Sequence, residues 1–122
     1  FANDVIALPY ATSEELPKLY NGALMYVHPS LYEGFGLPPV EAMASGTPVV
    51  SSNAASLPEV TGNAAILVNA HKPEEIAEAM RKISSDSALQ VELSKKGIEQ
   101  AKKYTWERMG EEYIRLYRSL VY

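Results

Sequence analysis

Short apolar runs that do not alternate with polar residues, each followed by a stretch of helical periodicity, constrain this chain most. Val5-Ile6-Ala7-Leu8 is the first run, stopped by Pro9. Ala23 to Val27 is the second, closed by His28-Pro29-Ser30. Thr47 to Ser52 is the third and Ala64 to Val68 the fourth. A strand exposed on one face alternates apolar and polar side chains, whereas a strand buried on both faces has no need to. The runs therefore predict an α/β fold: a Rossmann-like parallel sheet of about four strands flanked by helices, with a helical C-terminal third.

Capping chemistry marks the helices. Thr12 or Ser13 caps the first, Thr12 and Glu15 have capping-box spacing, and Leu16, Leu19 and Tyr20 form its apolar face. Asn21-Gly22 is expected to end it, with glycine in the left-handed conformation. A second, short helix starts at Pro38 and ends at Gly46. Pro73 opens a third, with Ile76, Met80 and Ile83 on one side. A longer helical stretch runs from Ser87 to Lys103. Thr105 caps the last helix, where Trp106, Met109, Tyr113, Leu116 and Leu120 recur at helical spacing and predict a core or interface face.

Ligands of open parallel sheets sit beyond the carboxyl ends of the strands. The loop from Leu31 to Gly36 lies at that edge and holds Glu33-Gly34-Phe35-Gly36 directly before a helix. Glycine lets a backbone approach a ligand closely. A helix start offers free amides and a partial positive charge, which suits phosphate. Glu33 and Glu41 stand eight positions apart, one in the loop and one a turn into the helix. Carboxylates accept hydrogen bonds from paired hydroxyls, as on ribose or hexose rings. On these residues alone, a glycine-rich connection with two solvated glutamates accounts for the pattern equally well.

The longer stretch is more specific. Pro29-Ser30-Leu31-Tyr32-Glu33-Gly34-Phe35-Gly36-Leu37-Pro38, with Glu41-Ala42-Met43-Ala44-Ser45-Gly46-Thr47-Pro48-Val49-Val50, resembles the group 1 (family four) retaining glycosyltransferases of GT-B fold. Glu14 to Tyr20, Leu57-Pro58-Glu59-Val60 and Thr105-Trp106 match as well. The resemblance implies that residues 1–122 form the later part of a C-terminal domain that binds a nucleotide-diphosphate sugar, in a hexosyltransferase of polysaccharide biosynthesis. By that resemblance Glu41 holds the ribose hydroxyls. Glu33 holds a sugar hydroxyl and places the anomeric carbon at the catalytic centre. Neither is assigned as nucleophile or general base. The backbone around Gly34, Phe35, Gly36 and Leu37 meets the sugar and diphosphate, and Val40 packs beside the ribose. Tyr10 and Ala11 lie near the base, although Pro9 stands where the family usually has glycine and brings no N–H.

Other classes find little support. The formal charge of −4 gives no basic face for nucleic acid. There are no cysteines for disulfide or thiolate chemistry, which fits a cytoplasmic setting. Asp4 and Asp86 are the only aspartates, so no Asp-x-Asp metal motif exists, and no metal or cofactor is expected. Lys95, Lys96, Lys102 and Lys103 read as a solvated helix face, with peripheral membrane contact the weaker alternative. His28 reads as a structural residue at a strand end in preference to a catalyst, since no second ligand or triad partner stands near it in sequence. The chain opens at Phe1 without the family's basic Arg/Lys pair or its acceptor domain. The reading therefore expects a partial domain, completed by the remaining half of the enzyme or by another chain, with little transferase activity in isolation. The competing readings are a non-catalytic nucleotide-sugar-binding or folding module and, with less support, an epimerase or phosphorylase scaffold.

Overall fold

The computed structural model describes residues 2–121. Three parallel strands, β1 (Tyr26–His28), β2 (Val49–Ser52) and β3 (Ala65–Val68), form one sheet in that order. Tyr26 lies beside Val49 and Val49 beside Ala65; one residue on, Val27, Val50 and Ile66 align. Side chains alternate across a strand, so the first row faces one layer and the second row faces the other.

Two cores follow from this alternation. Tyr26, Val49 and Ala65 pack with Tyr20, Val40, Met43, Val60 and Ala101 on one face. These come from α1 (Leu16–Gly22), α2 (Leu37–Ala44), α3 (Leu57–Thr61) and the end of α5 (Ser87–Ala101). Val27, Val50 and Ile66 pack with Ala79, Ile83 and Leu93 on the other face, under α4 (Pro73–Ser85) and the first half of α5. Each fully buried aliphatic side chain contributes about 1.5–3 kcal/mol before entropy is subtracted. The expected α/β class and its parallel sheet are thus present, with three strands.

The strand expected at Val5 to Leu8 does not form. Val5, Ile6 and Leu8 are 71%, 83% and 60% exposed, and no strand among the described residues pairs with them. A parallel strand is held by its neighbour's backbone groups, and an apolar run without one gains nothing by extending. The second strand lies later than expected, because Tyr26 to His28, not Ala23 to Val27, pairs with β2. Gly22 does not turn left-handed; α1 ends where Ala23 becomes extended. The Thr12–Glu15 capping box does form, with Thr12 N–H donating to Glu15 Oε2 at 2.9 Å and Glu15 N–H to Thr12 Oγ1 at 3.3 Å.

The face of α6 (Trp106–Leu120) expected to be core or interface contains no residue buried within this chain. Thr105 caps this helix as expected, accepting from Arg108 N–H at 3.2 Å. Its apolar stripe nonetheless lies open, Trp106 74% exposed and Leu120 66%. α4 and α5 already cover the second sheet face, leaving α6 no sheet surface to occupy. No helix among the described residues is long and apolar enough to cross a membrane. Lys96 and Lys102 pair along α5 with Glu92 and Glu99, as on a solvated face.

Two small residues fix how α2 sits. Gly46 takes φ +78° at the turn into β2, a conformation a side chain resists. Gly97 of α5 lies against Met43, and a Cβ there would come within 3.3 Å of the Met43 Cβ and Cγ. Gly97→Leu is therefore expected to push α2 off α5 and destabilise the fold by about 1–3 kcal/mol. A urea melt checks this: the midpoint should fall, and an unchanged midpoint rules the packing argument out.

Candidate functional site

The loop after β1 runs from Pro29 to Gly36 and is held by two serines, one at the end of β2 and one just before α3. Ser52 Oγ donates to the carbonyl of Ser30. The Ser56 hydroxyl lies 2.9 and 2.8 Å from the carbonyl oxygens of Glu33 and Phe35 and shares its one proton between them. The C=O and N–H of one peptide point in opposite directions because the unit is planar and trans. Ser56 thereby turns the amides of Gly34 and Gly36 away from itself. The amides of Gly34, Phe35, Gly36 and Leu37 find no acceptor among the described residues.

Gly36 makes this turn possible. Its φ is +104°, and a Cβ at this position would lie 2.7 Å from Leu57 Cδ2. A side chain is excluded twice, by conformation and by α3. Phe35 is kept in place by Tyr104, edge to face at 5.3 Å. The helix start offers fewer donors than expected. Pro38 and Pro39 hold the second and third positions of α2 and have no N–H. Of the first three helical residues only Leu37 donates, so anion-binding capacity rests on the loop amides as much as on the helix.

The two glutamates flank these amides in the chain. Glu33 is 32% exposed in its side chain, and Glu41 is exposed on α2. Val40, expected beside a ribose, is 7% exposed and belongs to the first core, so it supports Glu41 from below more than it offers surface. Tyr10 and Ala11 stand elsewhere, lining a groove with Pro9, Glu15, Lys18 and Leu19. No residue from 33 to 41 lines that groove. α1 joins the two places, since Lys18 and Leu19 face the groove while the next residue, Tyr20, meets Glu41.

A polar chain that sequence spacing did not reveal ties the glutamates together. His28 Nε2 lies 3.1 Å from Glu33 Oε1, and His28 Nδ1 lies 3.0 Å from the Tyr26 hydroxyl. Tyr26 packs edge to face on Tyr20, ring centroids 5.2 Å apart. Tyr20 O–H in turn donates to Glu41 Oε2 at 3.4 Å. His28, expected to be a structural residue at a strand end, thus has two hydrogen-bond partners. The signal was the period of two in β1, which puts Tyr26 and His28 on one face. Thr47 fixes Tyr20 from behind, donating Oγ1–H to its carbonyl at 2.6 Å. Ser51, beside His28 in the sheet, is fully buried with its hydroxyl unpaired.

A further residue escaped notice in sequence. Ser56 precedes Leu57-Pro58-Glu59 with the spacing of a capping residue and could have announced α3, which was not expected. It makes no capping bond; its hydroxyl is spent on the loop. Burial pushes the Tyr20 phenol well above its usual value, and the nearby Tyr26 and Glu41 add to the effect. Burial also raises Tyr26. Both phenols should keep their protons as the pH passes the ordinary value of 10.0. A raised folded-state value means that this stability is fully present below the unfolded value and is lost as pH rises through the folded one. Titration of the tyrosinate band should show Tyr20 and Tyr26 lagging in the native chain and joining the others in urea; simultaneous titration contradicts the buried pair.

Comparison with known proteins identifies the family and the fold. A family model described as "Glycosyl transferases group 1" matches residues 1–104. O-antigen chain mannosyltransferase B of Escherichia coli is 40% identical over 114 residues, covering 93% of this chain and 30% of that protein. The serotype-specific mannosyltransferase WbdA of Escherichia coli is 39% identical over 104 residues, covering 85% of this chain and 13% of that protein. This chain therefore spans less than a third of the length of these relatives. Among solved structures, sucrose-phosphate synthase from Thermosynechococcus elongatus superposes with a TM-score of 0.85 at 34% identity, covering 93% of this chain and 29% of that one. The matched region contains the sheet, the loop and both glutamates, and the chain belongs to the group 1 glycosyl transferases.

Proposed function

We propose that residues 1–122 form the donor-binding part of a retaining hexosyltransferase and hold a nucleotide-diphosphate sugar for transfer to an acceptor hydroxyl. One observation carries this reading: in the loop after β1, the amides of Gly34 to Leu37 find no acceptor among the described residues, and in the chain they stand between Glu33 and Glu41. An amide row suits a diphosphate, and a carboxylate suits a pair of hydroxyls. Glu41 takes the ribose. Glu33 takes a hydroxyl of the sugar and sets the position of its anomeric carbon. The base lies toward Tyr10 and Ala11, along α1. The mannosyltransferase names of the relatives support a hexose donor and polysaccharide assembly.

In the reaction proposed, the bond from anomeric carbon to diphosphate breaks and a bond to the acceptor oxygen forms on the same face. The acceptor proton leaves with the diphosphate. This chain supplies placement and stabilisation of the leaving charge. The donor set found at the loop is amides and carboxylate oxygens, and no resident cofactor enters the reading. The acceptor surface is assigned outside these residues, so the chain alone binds donor without rapid transfer. A binding module with no transferase role predicts the same binding. The two readings separate when the chain is joined to an acceptor-binding half and transfer is assayed.

Calorimetric titration with UDP-, GDP- and ADP-hexoses tests the site directly. One nucleotide class should bind, and Glu41→Ala should weaken it about tenfold or more, the worth of a charge-assisted hydrogen bond of about 1.5–3 kcal/mol. Undiminished affinity in Glu41→Ala would falsify the assignment.

A further inference from the structure

Each glutamate of the site is held by one oxygen only. Glu33 Oε1 meets His28, and Glu41 Oε2 meets Tyr20. Neither Glu33 Oε2 nor Glu41 Oε1 has a hydrogen-bond partner among the described residues. A carboxylate with one oxygen anchored presents the other in a defined direction. One with both oxygens free turns about its last bond and must be ordered when a ligand arrives.

The anchors are themselves fixed. His28 stacks on Tyr26, rings 5.7 Å apart, and its side chain is 14% exposed. The Tyr26 hydroxyl closes on Nδ1 at 3.0 Å. With the proton on Nε2, each contact has a donor and an acceptor: Tyr26 O–H donates to Nδ1, and Nε2–H donates to Glu33. The second ring nitrogen of the histidine is therefore committed, and with it the orientation of the first. Tyr20 is held at its backbone by Thr47 and at its ring by Tyr26.

We infer that His28, set by Tyr26, is a positioning residue that aims Glu33 at the donor's sugar, while Tyr20 aims Glu41 at its ribose. The inference rests on the donor-site reading and divides it into two arms that meet at the Tyr20–Tyr26 pair. His28 governs what the sugar adds to binding, and Tyr20 governs what the nucleotide contributes.

The experiment compares each nucleoside diphosphate with its hexose conjugate on the full chain, pairing UDP with UDP-glucose, GDP with GDP-mannose and ADP with ADP-glucose. The quantity of interest is the ratio of the two affinities. His28→Phe should lower that ratio about fivefold, the worth of one hydrogen bond, and change the nucleoside diphosphate's own affinity less than about twofold. His28→Gln, whose amide also donates, should recover most of the loss. In a Glu33→Ala background His28→Phe should have no further effect on the ratio, because its action runs through Glu33. Tyr20→Phe should weaken nucleotide and conjugate alike. An unchanged ratio in His28→Phe, or an equal loss with and without Glu33, overturns the inference.

A second measurement needs no ligand. Nitrogen-15 shifts of the His28 ring, read at mildly alkaline pH, should show the Nε2–H tautomer in the native chain and a mixture in Glu33→Ala. An Nδ1–H ring, or a mixture indifferent to Glu33→Ala, overturns the link to Glu33. Should no donor bind while the tautomer responds as expected, the donor-site reading fails and the structural link stands.

Discussion

Side chains in a strand alternate, and the site depends on that alternation in a strand of three residues. Tyr26 and His28 point to the face covered by α1 and α2, and Val27 between them points to the opposite core. The alternation brings a phenol and an imidazole under the loop that follows. A slip of one residue would exchange every side chain between faces and place Val27 where His28 meets Glu33. The register is protected on both faces, since Val49 and Val50 beside this strand are fully buried.

The loop above is shaped by what comes after β2. Ser56 draws down the carbonyls of Glu33 and Phe35, and Leu57 occupies the space a side chain at Gly36 would need. The unpaired amides are a consequence of these contacts. Fixing them in advance removes an entropic cost that a flexible loop would meet on binding. Ala55, just before Ser56, has φ +50° without being glycine, a conformation that costs roughly 1–2 kcal/mol. The clamp and the strain are adjacent, as expected where surrounding contacts hold a backbone in place.

The fold class, most helices and the loop with its two glutamates were legible in the sequence. Apolar runs, capping residues and proline–glycine punctuation are local signals, and these elements are locally encoded. What failed depended on distant contacts. Val5 to Leu8 has the composition of a buried strand, yet pairing needs a neighbour. The stripe on α6 has the period of a core or interface face, and of these two readings the core fails because the sheet is already covered. The His28–Glu33 contact joins a strand end to a loop, and the Tyr20–Glu41 contact spans 21 positions; neither distance is set by local periodicity. Ser56 went unread for a related reason, because its hydroxyl reaches across to the loop and makes no capping bond on α3. The two prolines of α2 were visible, but only the exact helix start shows that they remove donors from it.

In the proposed site the amides of Gly34 to Leu37 receive the donor. Two-dimensional amide NMR of the labelled chain, titrated with a nucleotide-sugar and with the matching nucleoside diphosphate, addresses that placement residue by residue. The largest shifts are expected at the amides of Gly34, Phe35, Gly36 and Leu37 with either ligand, and a further shift at the His28 ring only when the sugar is present. Binding that leaves those four amides unmoved, with its shifts gathered elsewhere on the surface, would contradict that placement.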